Sequence, residues 1–238
     1  MKLRALSSVI VVAAFTLAAG TKLAFAADGT YLNPQEIDLT KLLAPPPAPG
    51  SAQQKTDLAR VLKVQRTRTP AQVVRAQEDL KKSVFRFADV LGPQFNEANL
   101  PKTAALFLAA ENDAALVAKG GKQYFKRARP FVNNTDVHPT VPTNPKGFYG
   151  SYPSGHATFG YMSAILLAQM VPEKSAEIFA RGREFGQNRI VDGVHYPSDI
   201  EAGRIDGTLV AAALMDNPKF QHDFAIAKAE VRAALKLN

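Results

Sequence analysis

Three short stretches hold most of the side chains that could do chemistry on an anion: KQYFKRARP at 122–130, YPSGH at 152–156 and NRIVDGVHYPSDIEAGR at 188–204. The first places Lys122 and Arg129 seven residues apart, two helical turns and so nearly one face, while Pro130 puts Arg129 at a helix end or just beyond it. In the second, Ser154 brings a hydroxyl, Gly155 allows close backbone approach, and a helix starting there aims N–H groups at an anion. In the third, Arg189 precedes His195 by six residues and Asp199 follows it by four. Pro197 keeps His195 out of a continuing helix, and Ser198 with Glu201 reads as a capping box that starts a helix at Asp199. A carboxylate there can hold one imidazole nitrogen and leave the other free to attack.

Each stretch alone has a plainer reading. The first could be a solvated basic face or a nucleic-acid patch, the second a capped helix with a half-buried histidine, the third a structural His–Asp hydrogen bond. Together they offer three cations, a hydroxyl, backbone donors, two histidines and a carboxylate. That inventory suits phosphoryl transfer, in which charge spread over three equatorial oxygens needs donors and little else. One histidine would act neutral and nucleophilic, the other protonated to supply the leaving oxygen, which gives a mildly acidic optimum. A metal site on His156, His195 and Asp199 would set three cations against a fourth, and a Ser-His-Asp hydrolase on Ser154 has no use for three cations against a neutral ester. With no cysteine in the chain, thiol chemistry and cysteine-based zinc sites are excluded.

The elements that must position these groups read as helices. Of the 238 residues, the first 26 carry Lys2 and Arg4 ahead of an apolar run at 9–19, with small residues at Ala24 and Ala26. This is the pattern of a secretory leader cleaved after Ala26, and the run is too short to span a bilayer. A periplasmic or secreted protein is expected, with 212 residues, 26 basic against 21 acidic side chains and a net charge of +5. That length suits one domain with a sizeable core. Pro45, Pro46, Pro47 and Pro49 predict an extended arm over 27–55, free to pack on the body or on a neighbouring subunit. From Thr56 the pattern is helical almost throughout. Thr69, Pro70 and Gln72 form an N-terminal signature, Phe107, Ala110, Ala114 and Val117 share a face of a helix that Gly120–Gly121 is expected to stop, and Phe159, Met162, Leu166 and Met170 mark another helix. Further helices are predicted over 173–187, 199–215 and 217–236, with an irregular stretch at 130–152. The fold class is all-α, a single-domain helical bundle over 56–238. Glu111 and Asp113 could be solvated or line the pocket rim, and His138 and His222 have no motif around them.

The three stretches resemble the three-part signature Lys-x6-Arg-Pro, Pro-Ser-Gly-His and Ser-Arg-x5-His-x3-Asp of the phosphatidic acid phosphatase type 2 and vanadium haloperoxidase superfamily. The longer GSYPSGHA, the leader, the chain length and SVFRFADVLGP at 83–93 are similar to the bacterial class A non-specific acid phosphatases. The resemblance spans about 40–235 and implies a helical bundle that hydrolyses phosphate monoesters of broad specificity without metal or cofactor. It implies His195 as the nucleophile that forms a phosphohistidine, oriented by Asp199, and His156 as general acid and then base. Lys122, Arg129, Ser154, Gly155 and Arg189 would hold the phosphoryl oxygens. Vanadate inhibition is expected, and neither nucleic-acid binding nor stable membrane insertion is. A soluble lipid-headgroup phosphatase and a vanadate-dependent haloperoxidase are the alternatives on the same pocket; haloperoxidases are typically much longer chains. Asn188 stands where the signature has Ser, which predicts a looser hydrogen bond near Arg189, and Ala157 stands where class A members usually carry Thr. The physiological substrate, homo-oligomer formation and transfer to acceptors other than water stay open.

Overall fold

A helix that is apolar on every side must be buried on every side, and the chain builds such a helix directly behind its PSGH turn. In the computed structural model, which describes residues 29–237, this helix is α6 (Gly155–Met170). The others are α1 (Leu39–Leu42), α2 (Ala52–Thr67), α3 (Pro70–Glu78), α4 (Ala88–Leu91), α5 (Pro101–Phe125), α7 (Ser175–Val191), α8 (Pro197–Asp216) and α9 (Pro218–Ala234). Among the described residues there is no strand, and the fold is all-α. The leader at 1–26 lies outside the described residues. No described helix is long and apolar enough to cross a membrane.

Most of α6 is buried, including Phe159, Met162, Ala164, Leu166, Leu167 and Met170, and α7 and α8 cover it from two sides. Glycine makes this approach close. A Cβ at Gly160 would lie 2.3 Å from the carbonyl oxygen of Gly182 on α7, and one at Gly203 on α8 would lie 2.5 Å from the carbonyl oxygen of Ser154. Since backbone cannot yield as a flexible side chain does, Gly160→Ala is expected to cost about 2 kcal/mol or more. A fall in melting temperature of roughly 4 °C or more would register it, and an unchanged melt would contradict the packing.

The N-terminal segment differs from the extended arm predicted for it. A 3-10 turn at Pro34–Glu36 and α1 are formed, Leu32, Ile37, Leu39 and Leu43 are buried in the main core, and α2 starts at Ala52, capped by Ser51, rather than at Thr56. Asp113 explains the anchorage. Its buried carboxylate accepts the N–H groups of Thr30, Tyr31 and Leu32 at 2.6, 2.8 and 3.1 Å, so it neither faces solvent nor lines a rim. Glu111 instead pairs with Lys82.

Two further boundaries move. Helix α5 runs through Gly120–Gly121, which do not stop it because neither takes a left-handed conformation, and ends at Phe125, where Lys126 does (φ 45°) as its cap. Arg129 therefore stands four residues past the helix on extended backbone, and does not share a helical face with Lys122. Helix α8 begins at Pro197, with Tyr196 as its N-cap; Asp199 occupies the third helical position and accepts the Tyr196 N–H at 2.8 Å. The expected Ser198–Glu201 capping box does not form. Ser198 is turned toward Asp57 and Arg127, and Glu201 pairs with Arg204 on the surface.

Candidate active site

A small cavity of about 210 Å³ opens where the loop after α5, the start of α6, the end of α7 and the α7–α8 turn meet. Arg129, His156, Arg189 and His195 line it, with Leu80, Phe131, Val141, Pro142 and Val194 as apolar walls. The irregular segment supplies Val141 to Asn144 and Gly147 as a cover.

His195 is buried and held at both ring nitrogens. Nδ1 lies 3.2 Å from Asp199 Oδ2, and Nε2 lies 3.1 Å from Arg129 Nη1. A guanidinium only donates, so Nε2 is the acceptor and the ring proton sits on Nδ1, facing the carboxylate. Burial is the largest cause that lowers the His195 pKa well below the ordinary imidazole value, followed by the charges of Arg129, Lys122 and Arg189. Burial and the surrounding cations thus both favour the neutral ring.

Asp199 is fully buried and fully engaged. Oδ1 accepts from Arg127 Nη1 at 2.7 Å, and Oδ2 accepts from Ser151 Oγ at 2.6 Å and the Tyr196 N–H at 2.8 Å. Burial pushes its pKa up, and Arg127 is the strongest influence opposing that.

Arg129 is fixed by three carbonyls: Nε donates to Gly147 at 2.8 Å, Nη1 to Val194 at 2.7 Å and Nη2 to Gly150 at 3.4 Å. Arg189, 2 % exposed, donates from Nη2 to the carbonyl of Ala76 at 2.7 Å and pairs with Asp192 at the same distance. Among the described residues its Nε–H has no acceptor. Such a buried donor is costly unless a ligand meets it.

His156, in the first turn of α6, lies 3.2 Å through Nε2 from the carbonyl of Leu80, which can only accept; Nδ1 is left to exchange a proton. Burial is again the first cause of a pKa well below the ordinary value, with Arg189 and Lys82 next.

Lys122, Ser154 and Gly155 do not line the cavity. The Lys122 ammonium donates to the carbonyls of Gly150 and Pro153 and so ties α5 to the PSGH turn. Burial, then Arg129, takes its pKa down to about 7. Ser154 caps α6, accepting the Ala157 N–H at 3.4 Å, and its own N–H donates to the Asp199 carbonyl at 3.0 Å, joining the starts of α6 and α8. The two departures from the signature lie behind the cavity. Asn188 donates from Nδ2 to Asp79 at 2.8 Å, within a buried Asp79–Arg181 pair. Ala157 is buried where α7 and α8 meet α6, 2.7 Å from where a Cβ on Gly203 would stand. Sequence reasoning missed Arg127, Ser151 and Asp57. On an unbroken helix Arg127 would point about 140° away from Lys122, and only the left-handed cap at Lys126 turns it toward Asp199. Among the described residues, no group of three or more His, Asp or Glu side chains could hold a metal ion.

Residues 103–222, which contain every one of these groups except the supports before α5, match the sequence profile of the PAP2 superfamily. The chain belongs to the PAP2 superfamily. Its similarity to named members extends well beyond that region. It is 33 % identical over 209 residues to a non-specific acid phosphatase of Providencia stuartii, covering 83 % of this chain and 82 % of that one. It is 31 % identical to a non-specific acid phosphatase of Salmonella typhimurium, covering 84 % and 83 %, and 33 % identical to an acid phosphatase of Zymomonas mobilis, covering 81 % and 75 %. Within the PAP2 superfamily the chain therefore groups with the bacterial acid phosphatases.

Proposed function

We propose that this PAP2 protein is an exported acid phosphatase that hydrolyses phosphate monoesters through a phosphohistidine on His195. The observation that carries this reading is the Nε2 lone pair of His195, facing a cavity that also presents two arginines, one with an unpaired buried Nε–H. A phosphorus atom placed for attack by Nε2 brings its equatorial oxygens within reach of Arg129 and Arg189. Arg129 then exchanges its contact with Nε2 for one with oxygen. In the first step the Nε2–P bond forms, the P–O bond to the alcohol breaks, and His156 gives the alcohol its proton. In the second, His156 takes a proton from water, the new O–P bond forms, Nε2–P breaks and phosphate leaves. Lys122 holds the PSGH turn and adds positive charge behind the phosphoryl group.

The pH dependence follows from the signs. His195, its pKa lowered, stays a free base as the medium becomes acidic. His156 must be protonated for the first step, and the phosphate dianion opposes the Arg189 and Lys82 charges that lower it. The complex therefore works in mild acid.

The test is hydrolysis of p-nitrophenyl phosphate by the mature chain, with chelator and with vanadate in parallel. Acid-favoured, chelator-resistant and vanadate-inhibited turnover is expected. Absence of turnover, or turnover lost with chelator, overturns the reading. A second measurement uses inorganic phosphate as inhibitor. Because the Lys122 pKa is lowered to about 7, the ammonium is present below that pH and lost above it. Inhibition by phosphate is expected to weaken as the pH is raised from about 6 to about 8, even though the phosphate dianion becomes more abundant. Inhibition that strengthens over that range would remove Lys122 from the anion's surroundings.

A further inference from the structure

The residues behind Asp199 form a second buried ionic unit that the hydrolytic steps do not use. Arg127 leaves the end of α5, and its guanidinium, 6 % exposed, reaches Asp199 Oδ1 at 2.7 Å and Ser198 Oγ at 2.6 Å through Nη1. Its Nη2 reaches Asp57 Oδ2 at 3.1 Å and the side-chain oxygen of Gln54 at 2.5 Å, both on α2. The Ser198 hydroxyl donates to the same Asp57 oxygen, and the Arg127 guanidinium carbon lies 4.2 Å above the Tyr196 ring. Two carboxylates, one on α2 and one on α8, thus clamp a single arginine. Breaking such a buried unit leaves a charge without compensation. Arg127 does not line the cavity that holds His195, and its two terminal nitrogens are taken up by Asp199, Ser198, Asp57 and Gln54.

We propose that Arg127, held by Asp57, is a positioning residue that keeps Asp199 an anion and thereby keeps the His195 proton on Nδ1 and the Nε2 lone pair free. Asp199 is fully buried, so its ionised form depends on its neighbours. Those that bear charge or titrate are Arg127, His195, Tyr152 and Tyr196 at direct or short range, with Lys122 on α5 and Arg129 beyond it further off. Glu201, on the same helix as Asp199, bears on Tyr152, and Asp57 bears on Arg127 and Tyr196. Of these, only Arg127 is both permanently charged and bonded to the carboxylate. Without that charge, burial raises the Asp199 pKa further and favours the protonated carboxyl. A protonated Asp199 donates its O–H to Nδ1, the ring proton must then sit on Nε2, and the atom that attacks phosphorus has lost its lone pair. The inference rests on His195 being the nucleophile; the control over its tautomer does not.

The experiment compares wild type with Arg127→Gln, Arg127→Lys and Asp57→Asn by pH profiles on p-nitrophenyl phosphate and by long-range ¹H–¹⁵N spectra of the histidine rings. Arg127→Gln is expected to lower kcat roughly 10²-fold, on the scale of a positioned proton-handling group, with KM within about twofold. The acid limb of kcat/KM is expected to move up by about one pH unit or more. The His195 spectrum changes from the Nδ1–H to the Nε2–H pattern over the same range. Arg127→Lys restores most of the acid limb, and Asp57→Asn shifts it less than Arg127→Gln does. If the glutamine variant does not fold, the lysine and asparagine variants still carry the comparison. An unmoved acid limb together with an unchanged His195 tautomer overturns the proposal, as does a loss confined to KM. A tautomer change in a protein whose His195→Ala variant still turns over would separate the two claims, leaving Arg127 as the holder of Asp199 and overturning His195 as nucleophile.

Discussion

His195→Ala is expected to lower kcat/KM for p-nitrophenyl phosphate by roughly 10⁴-fold or more, with secondary structure and melting transition retained. The size follows from what the ring does on the proposed path: among the described side chains that line the cavity, His195 has its ring oriented by a buried carboxylate with Nε2 left as the acceptor. Arg129 and Arg189 cannot lose a proton in the working range, and His156 has Nε2 committed to the Leu80 carbonyl and Nδ1 to the proton of the leaving group. The fold survives because His195 contributes little to the core, lying between Val194 and Tyr196 on a turn that other bonds hold: Val194 N–H to the Arg189 carbonyl at 3.1 Å and Tyr196 N–H to Asp199 at 2.8 Å. The deletion does leave Asp199 without its imidazole partner. Arg127 and Ser151 still satisfy that carboxylate, so the charge is not stranded. Inorganic phosphate is expected to bind the variant, since the arginines remain. The check is a paired measurement of turnover and phosphate affinity. Turnover within tenfold of wild type would remove His195 as the nucleophile, whereas loss of both turnover and phosphate binding would place it among the anion-holding groups instead.

What could be read without the structure was set by spacing, and what could not was set by turns. The helices with strong periodicity, those carrying Phe107 and Val117 or Phe159 and Met170, lie where the pattern places them because their apolar faces have only one way to be buried. The three stretches that hold Arg129, His156, Arg189 and His195 are brought around one cavity. The sequence could not say that Lys122 serves the carbonyls of the PSGH turn and Ser154 the first turn of its own helix rather than the cavity, since a cation or hydroxyl near a glycine-rich turn can serve ligand or backbone equally well. It could not give Arg127 a role either, because that depends on one left-handed residue at Lys126, a lysine where glycine would have signalled the helix end. Nor did a polar Asp113 within an apolar face announce that it would gather three N–H groups from a segment more than 80 residues earlier.

His156→Ala is expected to separate substrates by their leaving groups. For an alkyl phosphate, whose alkoxide leaves only with a proton, kcat/KM is expected to fall roughly 10³-fold; for p-nitrophenyl phosphate, whose phenolate leaves unaided, the fall is about tenfold or less. The comparison must be made on kcat/KM, which reports steps up to phosphoenzyme formation, because the second step is shared by all substrates. Hydrolysis of the phosphohistidine also needs His156, now as a base for water. With p-nitrophenyl phosphate the variant is therefore expected to release one equivalent of p-nitrophenol rapidly and then turn over slowly, as phosphoenzyme accumulates. The alkaline limb of kcat, where the wild-type acid loses its proton, disappears with the ring. Its position reflects opposing charges: burial, Arg189 and Lys82 lower the His156 pKa, and the substrate dianion raises it. The combination of a leaving-group split, a burst and a missing limb belongs to a proton donor that later becomes a base. An equal loss on both substrates, with no burst, would instead make His156 a support for Leu80 and the α3 end of the cavity.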